Sequence, residues 1–189
     1  MKAVPIGVSA RHVHLSKDHI RMLFGDGYSL NVLKDLSQPG QFAAQETVAV
    51  IGPKGQFEKV RILGPARKET QVEISKTDAF KLGIDPPVRE SGHIEGTPGA
   101  ILRGPAGEVV LERGVIIAAR HIHFHTEDAA RWGISDKQVL HVRVNGERPL
   151  IFEQVIARVS SQFALDMHID TDEANAAGVK TGDTAVILD

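Results

Sequence analysis

The chain contains no cysteine. That absence removes disulfides, thiolate nucleophiles and every cysteine-based zinc or iron–sulfur site. Any bound metal must then be held by His, Asp or Glu, and histidine is plentiful, with nine residues. Aromatic residues make up only 5% of the chain, too few for a stacking platform on single strands. Positive charge is not in excess either. The formal net charge is −2, which argues against a nucleic-acid partner held by bulk electrostatics. Long apolar runs are also missing. The longest, Val115 to Ala119, is far too short to span a bilayer, so no membrane partner is expected. The N-terminal stretch MKAVPIGVSARHVH has no long apolar segment and enters patterned sequence by Val4. It does not read as a signal peptide, and a cytoplasmic protein is expected. The remainder has an ordinary globular balance, 42% apolar and 24% charged over 189 residues, enough chain to bury a sizeable core.

The sequence is internally repeated. Val8–Gly25 reads VSARHVHLSKDHIRMLFG and Ile117–Ile134 reads IAARHIHFHTEDAARWGI, sharing Ala-Arg-His-(Val/Ile)-His before a polar, acidic helical segment. A second pair is VEISKTDAFKLGI at 72–84 and MHIDTDEANAAGV at 167–179. Each of the four units predicts a strand, a polar cap and about two turns of helix. Ser16, Ser75, Thr126 and Thr171 are placed to accept from orphan amides at the helix starts. Gly83, Gly133 and Gly178 punctuate helix ends. GPKG at 52–55 and GPAG at 104–107 sit between alternating segments and predict hairpins, while 85–99 and 36–40 read as loops. Short helices and many strands favour a mainly β fold of small barrels capped by helices over a doubly wound sheet.

The repeat also carries the chemistry. Residues i and i+2 of a strand share a face. His12 with His14, and His121 with His123, therefore each present two imidazoles on one side. Laying the second pair of units on each other sets Glu73 opposite His168, a carboxylate and an imidazole, both common zinc ligands. Two ligand sets result: His12, His14 and Glu73, then His121, His123 and His168. Three protein ligands leave a coordination position open, as catalytic zinc requires. His125 extends the alternation but abuts the expected cap at Thr126, so its role stays open between ligand and turn residue. His19, His93 and His141 lack repeat partners and read as surface or loop histidines. Arg67 and Lys68, after Gly-Pro and shortly before Glu73, suit an anion holder. Arg11 and Arg120 precede the paired histidines, where structural ion pairs suit them better.

The segments VPIGVSARHVHLS, KDLSQPGQFAAQETV, RILGPARKETQVEIS, VRESGHIEGTPG, GVIIAARHIH and DMHIDTDEANAAG together resemble the PduL-type phosphate propanoyltransferase family of phosphotransacylases, from about Val4 to the C-terminus. The resemblance implies reversible conversion of acyl-CoA plus phosphate to acyl phosphate plus CoA. It also implies two zinc ions held by the two ligand sets above, and phosphate contact by Arg67. The implied fold is two small β-barrels capped by short helices. Its expected partition is 1–10 with 119–189, carrying His121, His123 and His168, and 11–118, carrying His12, His14 and Glu73, with an insert near 25–45. A homodimer is expected. No N-terminal microcompartment-targeting extension precedes the matching segment, so a free cytosolic enzyme is expected and acetyl-CoA is as suitable as propanoyl-CoA. Two other readings compete: a binuclear zinc hydrolase of a phosphoester or thioester, and a non-catalytic metal- and CoA-binding module.

Overall fold

A computed structural model describes residues 2–188. In chain order the elements are β1 (Lys2–Ser9), β2 (His12–His14), α1 (Lys17–Phe24), β3 (Val32–Asp35), β4 (Phe42–Ile51), β5 (Gln56–Gly64), β6 (Gln71–Glu73), α2 (Lys76–Leu82), β7 (Val88–Arg89), β8 (Ala100–Arg103), β9 (Glu108–Leu111), β10 (Val115–Ala118), β11 (His121–Phe124), α3 (Thr126–Trp132), β12 (Val139–Val144), β13 (Leu150–Val159), β14 (Asp166–Asp170), α4 (Thr171–Ala177) and β15 (Thr184–Ile187). The fold is mainly β with short helices. The strands divide between two compact units. One unit comprises Met1–Ala10, Ser37–Pro39 and Ala119–Asp189, and its strands close a barrel in the order β1-β14-β11-β13-β12-β15. The other comprises Arg11–Leu36 and Gly40–Ala118 and forms a nine-stranded sheet, β7-β10-β6-β2-β5-β4-β8-β9, with β3 beside β4. No helix among the described residues is long and apolar enough to cross a membrane.

Strand alternation separates core from site. In β2, Val13 is fully buried in the core of its unit with Leu15, Ile62, Val72 and Leu82, so His12 and His14 face the opposite side. In β11, Ile122 and Phe124 enter the barrel core with Val4, Ile6 and Met167, and His121 and His123 take the other face. Around each histidine strand the pairing is the same. β2 runs parallel to β5 and antiparallel to β6, and β11 runs parallel to β13 and antiparallel to β14.

Helix starts follow the expected chemistry at two of four positions. Ser16 caps α1 and Ser75 caps α2, the latter in a capping box with Asp78. At α3 the cap is His125 rather than Thr126, and at α4 it is Asp170 rather than Thr171. The threonines become the first helical residues because the preceding side chain reaches the free amide first. His125 Nδ1 accepts from Glu127 N at 3.2 Å, and Asp170 accepts from Glu173 N at 2.8 Å. Gly83, Gly133 and Gly178 end their helices in the left-handed conformation.

Three hairpin turns close the other ends. Lys54 N, in the β4–β5 turn, donates to the last carbonyl of α2, Leu82 O, at 3.0 Å. Ala106 N, in the β8–β9 turn, donates to Leu23 O near the end of α1 at 3.0 Å. Arg148 N, in the β12–β13 turn, donates to Ala177 O of α4 at 3.2 Å. The turns thus satisfy helix carbonyls that have no partner within the helix. Such close approach needs glycine, since a Cβ on Gly52, Gly104 or Gly146 would lie 2.3–2.4 Å from those same carbonyl oxygens.

Arg11 and Arg120 make ion pairs with the first turn of a helix. Arg11 donates to Asp78 at 2.7 Å and Arg120 to Glu173 at 2.8 Å, and the two guanidiniums lie over Phe57 and Phe152. The loop 36–40 is more than a connector. Gln38, 3% exposed, donates to Ala164 O at 2.9 Å and accepts from Ala164 N at 3.2 Å.

Candidate metal centre

His12, His14 and Glu73 meet on one face of the antiparallel pair β2–β6. His12 and Glu73 are register partners. His12 Nε2 lies 3.2 Å from His14 Nε2 and 3.4 Å from Glu73 Oε2, and His14 Nε2 lies 3.6 Å from Glu73 Oε1. Ligand atoms around one tetrahedral zinc are separated by about 3.3–3.4 Å, as bonds of about 2.0–2.1 Å require. All three side chains are buried.

Burial pushes the His14 imidazole down to about 4, with His12 adding to the effect against the pull of Glu73. The Glu73 carboxylate is opposed by burial, but the two histidines outweigh it, His12 foremost, and hold it well below its ordinary range. At neutral pH His14 is therefore a neutral imidazole and Glu73 a carboxylate, the states in which each can ligate a cation.

Hydrogen bonds hold Glu73 from behind. Gln71 Nε2 donates to Glu73 Oε1 at 2.6 Å and the Ser91 hydroxyl donates to the same oxygen at 2.8 Å. Ser91 Oγ accepts from Gln71 Nε2 at 2.9 Å and from Arg67 Nη1 at 3.0 Å. Arg67 is placed by its own backbone, whose N–H donates to Leu15 O at 2.9 Å. A guanidinium thus stands one hydroxyl away from the carboxylate of the cluster. Ser91 and Gln71 escape a sequence reading. Ser91 sits in the 85–99 loop without periodicity, and Gln71 is a neutral residue in a strand.

His121, His123 and His168 form the second group on β11 and β14, with His121 and His168 in register. Their candidate ligand atoms, like those of the first group, all lie within 4.8 Å of one another. His121 Nδ1 is 2.8 Å from Ala119 O, so it carries the proton and leaves Nε2 with its lone pair. His123 packs on Phe163, and burial pushes it down to about 2, helped by His121, His168 and the guanidinium of Arg158. His123 Nδ1 and His168 Nε2 are buried without a hydrogen-bond partner. A bound cation would satisfy such orphaned lone pairs, so the donor set fits a metal ion.

His125 is used as a helix cap. His19 also has a local task, with Nδ1 2.7 Å from Thr70 Oγ1, whose oxygen accepts from Ser16 N.

The chain is a duplicated, mainly β protein, with a group of histidine or carboxylate side chains on paired strands in each half that could hold a metal ion. A family model described as phosphate propanoyltransferase matches residues 5–180. The phosphate propanoyltransferase of Thermotoga maritima is 58% identical over 185 residues, covering 97% of this chain and 88% of that one. Those of Enterococcus faecalis and Clostridioides difficile are 54% and 48% identical, covering 97% and 98% of this chain and 87% and 88% of theirs. The chain belongs to the phosphate propanoyltransferase family, a family of phosphate acyltransferases.

Proposed function

We propose that the protein interconverts acyl-CoA plus phosphate with acyl phosphate plus CoA, on a short acyl chain, acetyl or propanoyl. The observation that carries this reading is the Arg67–Ser91–Glu73 chain, which sets an anion-binding guanidinium beside a cation-binding cluster. Family membership supports the acyl and phosphate substrates. In this reading the units 1–10 with 119–189 and 11–118 each carry one centre. His12, His14 and Glu73 would hold one divalent ion, and His121, His123 and His168 a second. Zinc suits both sets, because each offers three nitrogen or oxygen ligands and leaves a place for a substrate atom. Bound zinc supplies Lewis-acid polarisation of a thioester carbonyl and a partner for the CoA sulfur.

The chain's own side chains bind and orient. Arg67 offers a planar guanidinium that matches two phosphate oxygens and holds the anion for direct attack on the carbonyl carbon. A C–O bond to phosphate forms, the C–S bond breaks, and the sulfur leaves as the CoA thiolate. No acyl-enzyme is required, in keeping with a chain without cysteine. Ser91 fixes both partners, accepting from Arg67 and donating to Glu73. A homodimer is part of the proposal, supported by the outer strand β3, where Val32 and Leu33 are each 53% exposed.

Thiol release from acetyl-CoA and propanoyl-CoA, with and without phosphate, tests the reading. Phosphate-dependent release is expected. Phosphate-independent release would instead mean hydrolysis, and no release from zinc-loaded protein would mean a binding module. Chelation is expected to abolish activity and zinc to restore it, whereas full activity in verified metal-free protein would sink the role given to the metal.

A further inference from the structure

Asp166 is a buried carboxylate that the sequence pattern does not single out. It lies two residues before His168 on β14 and directly opposite His123 on β11, so it shares the face of the three-histidine group. It is 5% exposed. Its Oδ2 lies 3.3 Å from His168 Nε2, near enough for an ion pair but off the line of a hydrogen bond, since that nitrogen has no hydrogen-bond partner. No other side-chain partner reaches Asp166 among the described residues. A carboxylate taken out of water without donors is costly unless a cation faces it. The neighbouring strand leaves room for it. Gly7 of β1 is the register partner of His168, and a Cβ there would come within 3.0 Å of Asp166 Oδ2.

The other half shows what this position does. Gln71 is the repeat counterpart of Asp166, opposite His14 and two residues before Glu73. There the third ligand is a carboxylate and its strand neighbour a neutral amide, with Gln71 donating to Glu73 at 2.6 Å. In the barrel the third ligand is an imidazole and the strand neighbour is the carboxylate. Each centre therefore has one negative charge, in exchanged positions. Three neutral imidazoles alone bring none to a divalent cation.

We infer that Asp166 is the anionic member of the three-histidine centre, a positioning residue that supplies the charge Glu73 supplies in the other half and raises divalent-metal affinity there. The inference rests on the metal-binding reading above.

The test titrates the full-length protein, stripped of metal, with zinc against a chromogenic chelator, and counts bound ions by mass spectrometry. Asp166→Asn is expected to weaken one of the two ions about 10–100-fold, the usual effect of removing a partner behind metal ligands. The ion lost in Glu73→Gln keeps its affinity. Asp166→Gln weakens the same ion, and Asp166→Gln/His168→Glu, which copies the Gln-x-Glu pattern of the other half, recovers affinity. Circular dichroism verifies folding, and should Asp166→Asn not fold, the comparison of Asp166→Gln with the double variant carries the test. Two ions at wild-type affinity in folded Asp166→Asn, or no recovery in the double variant, overturns the inference and leaves Asp166 as an ion-pair partner of His168. If His168→Ala binds as many ions as the wild type, the metal reading itself fails.

Discussion

Ser91 joins the two charges on which the proposed reaction depends. Its hydroxyl donates to Glu73 and its oxygen accepts from Arg67. Ser91→Ala removes both bonds at once. Hydrogen bonds to charged groups contribute about 1.5–3 kcal/mol, so kcat/KM for phosphate is expected to fall about 10–100-fold in steady-state kinetics. Arg67→Lys keeps the charge but loses the planar pair of donors. A rise of about tenfold in the KM for phosphate is expected, with the KM for acyl-CoA unchanged; equal changes in both would remove Arg67 from the phosphate site. The histidines of the two groups are readable from sequence because i, i+2 spacing on a strand fixes a shared face and the repeat pairs Glu73 with His168. Ser91, Gln71 and Asp166 are not readable that way. Ser91 reaches Glu73 through the path of a loop, and a lone Asp or Gln on a strand looks like ordinary surface until its neighbours and burial are known.

Among the elements, the helix ends carry the clearest tests. Asp170 caps α4 and Thr171 is its first helical residue. Asp170→Ala is expected to cost about 1 kcal/mol in denaturant unfolding, whereas Asp170→Asn costs little. Thr171→Ala should cost less than Asp170→Ala, and the reverse order would restore Thr171 as the cap. Adjacent polar residues explain why the sequence places this cap one position late. Either side chain suits a helix start, and only the observed extended backbone at Asp170 decides between them. The hairpins at 52–55 and 104–107 are readable from Gly-Pro-x-Gly, but their capping of α2 and α1 is tertiary. Gly146→Ala puts a methyl 2.3 Å from Ala177 O, a backbone atom that cannot step aside. A loss of about 1–3 kcal/mol is expected from this overpacking, measured by thermal unfolding, with Gly52→Ala behaving alike.

At the scale of the whole molecule, the buried centres tie stability to pH. His14 is held near 4 and His123 near 2, both below the ordinary imidazole value of about 6.5. The unfolded chain therefore takes up protons first as pH falls, and the metal-free protein should lose stability progressively below about pH 6.5. Glu73 adds to the loss below about pH 4.5, since its folded carboxyl stays ionised while the unfolded one protonates. If zinc binds the folded form as proposed, it is expected to raise stability at neutral pH, with a gain that shrinks in acid because protons compete for the imidazoles. Urea unfolding at pH 7.5, 6 and 5, with and without zinc, reads both effects; a flat profile would contradict them. The barrel's connectivity also bears on how the chain is made. β1 pairs Ile6 with Met167 of β14 on one side and meets β15 on the other. At roughly 5–20 residues per second, the first strand leaves the ribosome roughly 10–30 seconds before β14 follows. For that interval Val4 and Ile6, wholly buried later, have no barrel to enter. Pro5 stands between them without a backbone N–H, and a strand interrupted in this way is a poor template for pairing with another nascent chain.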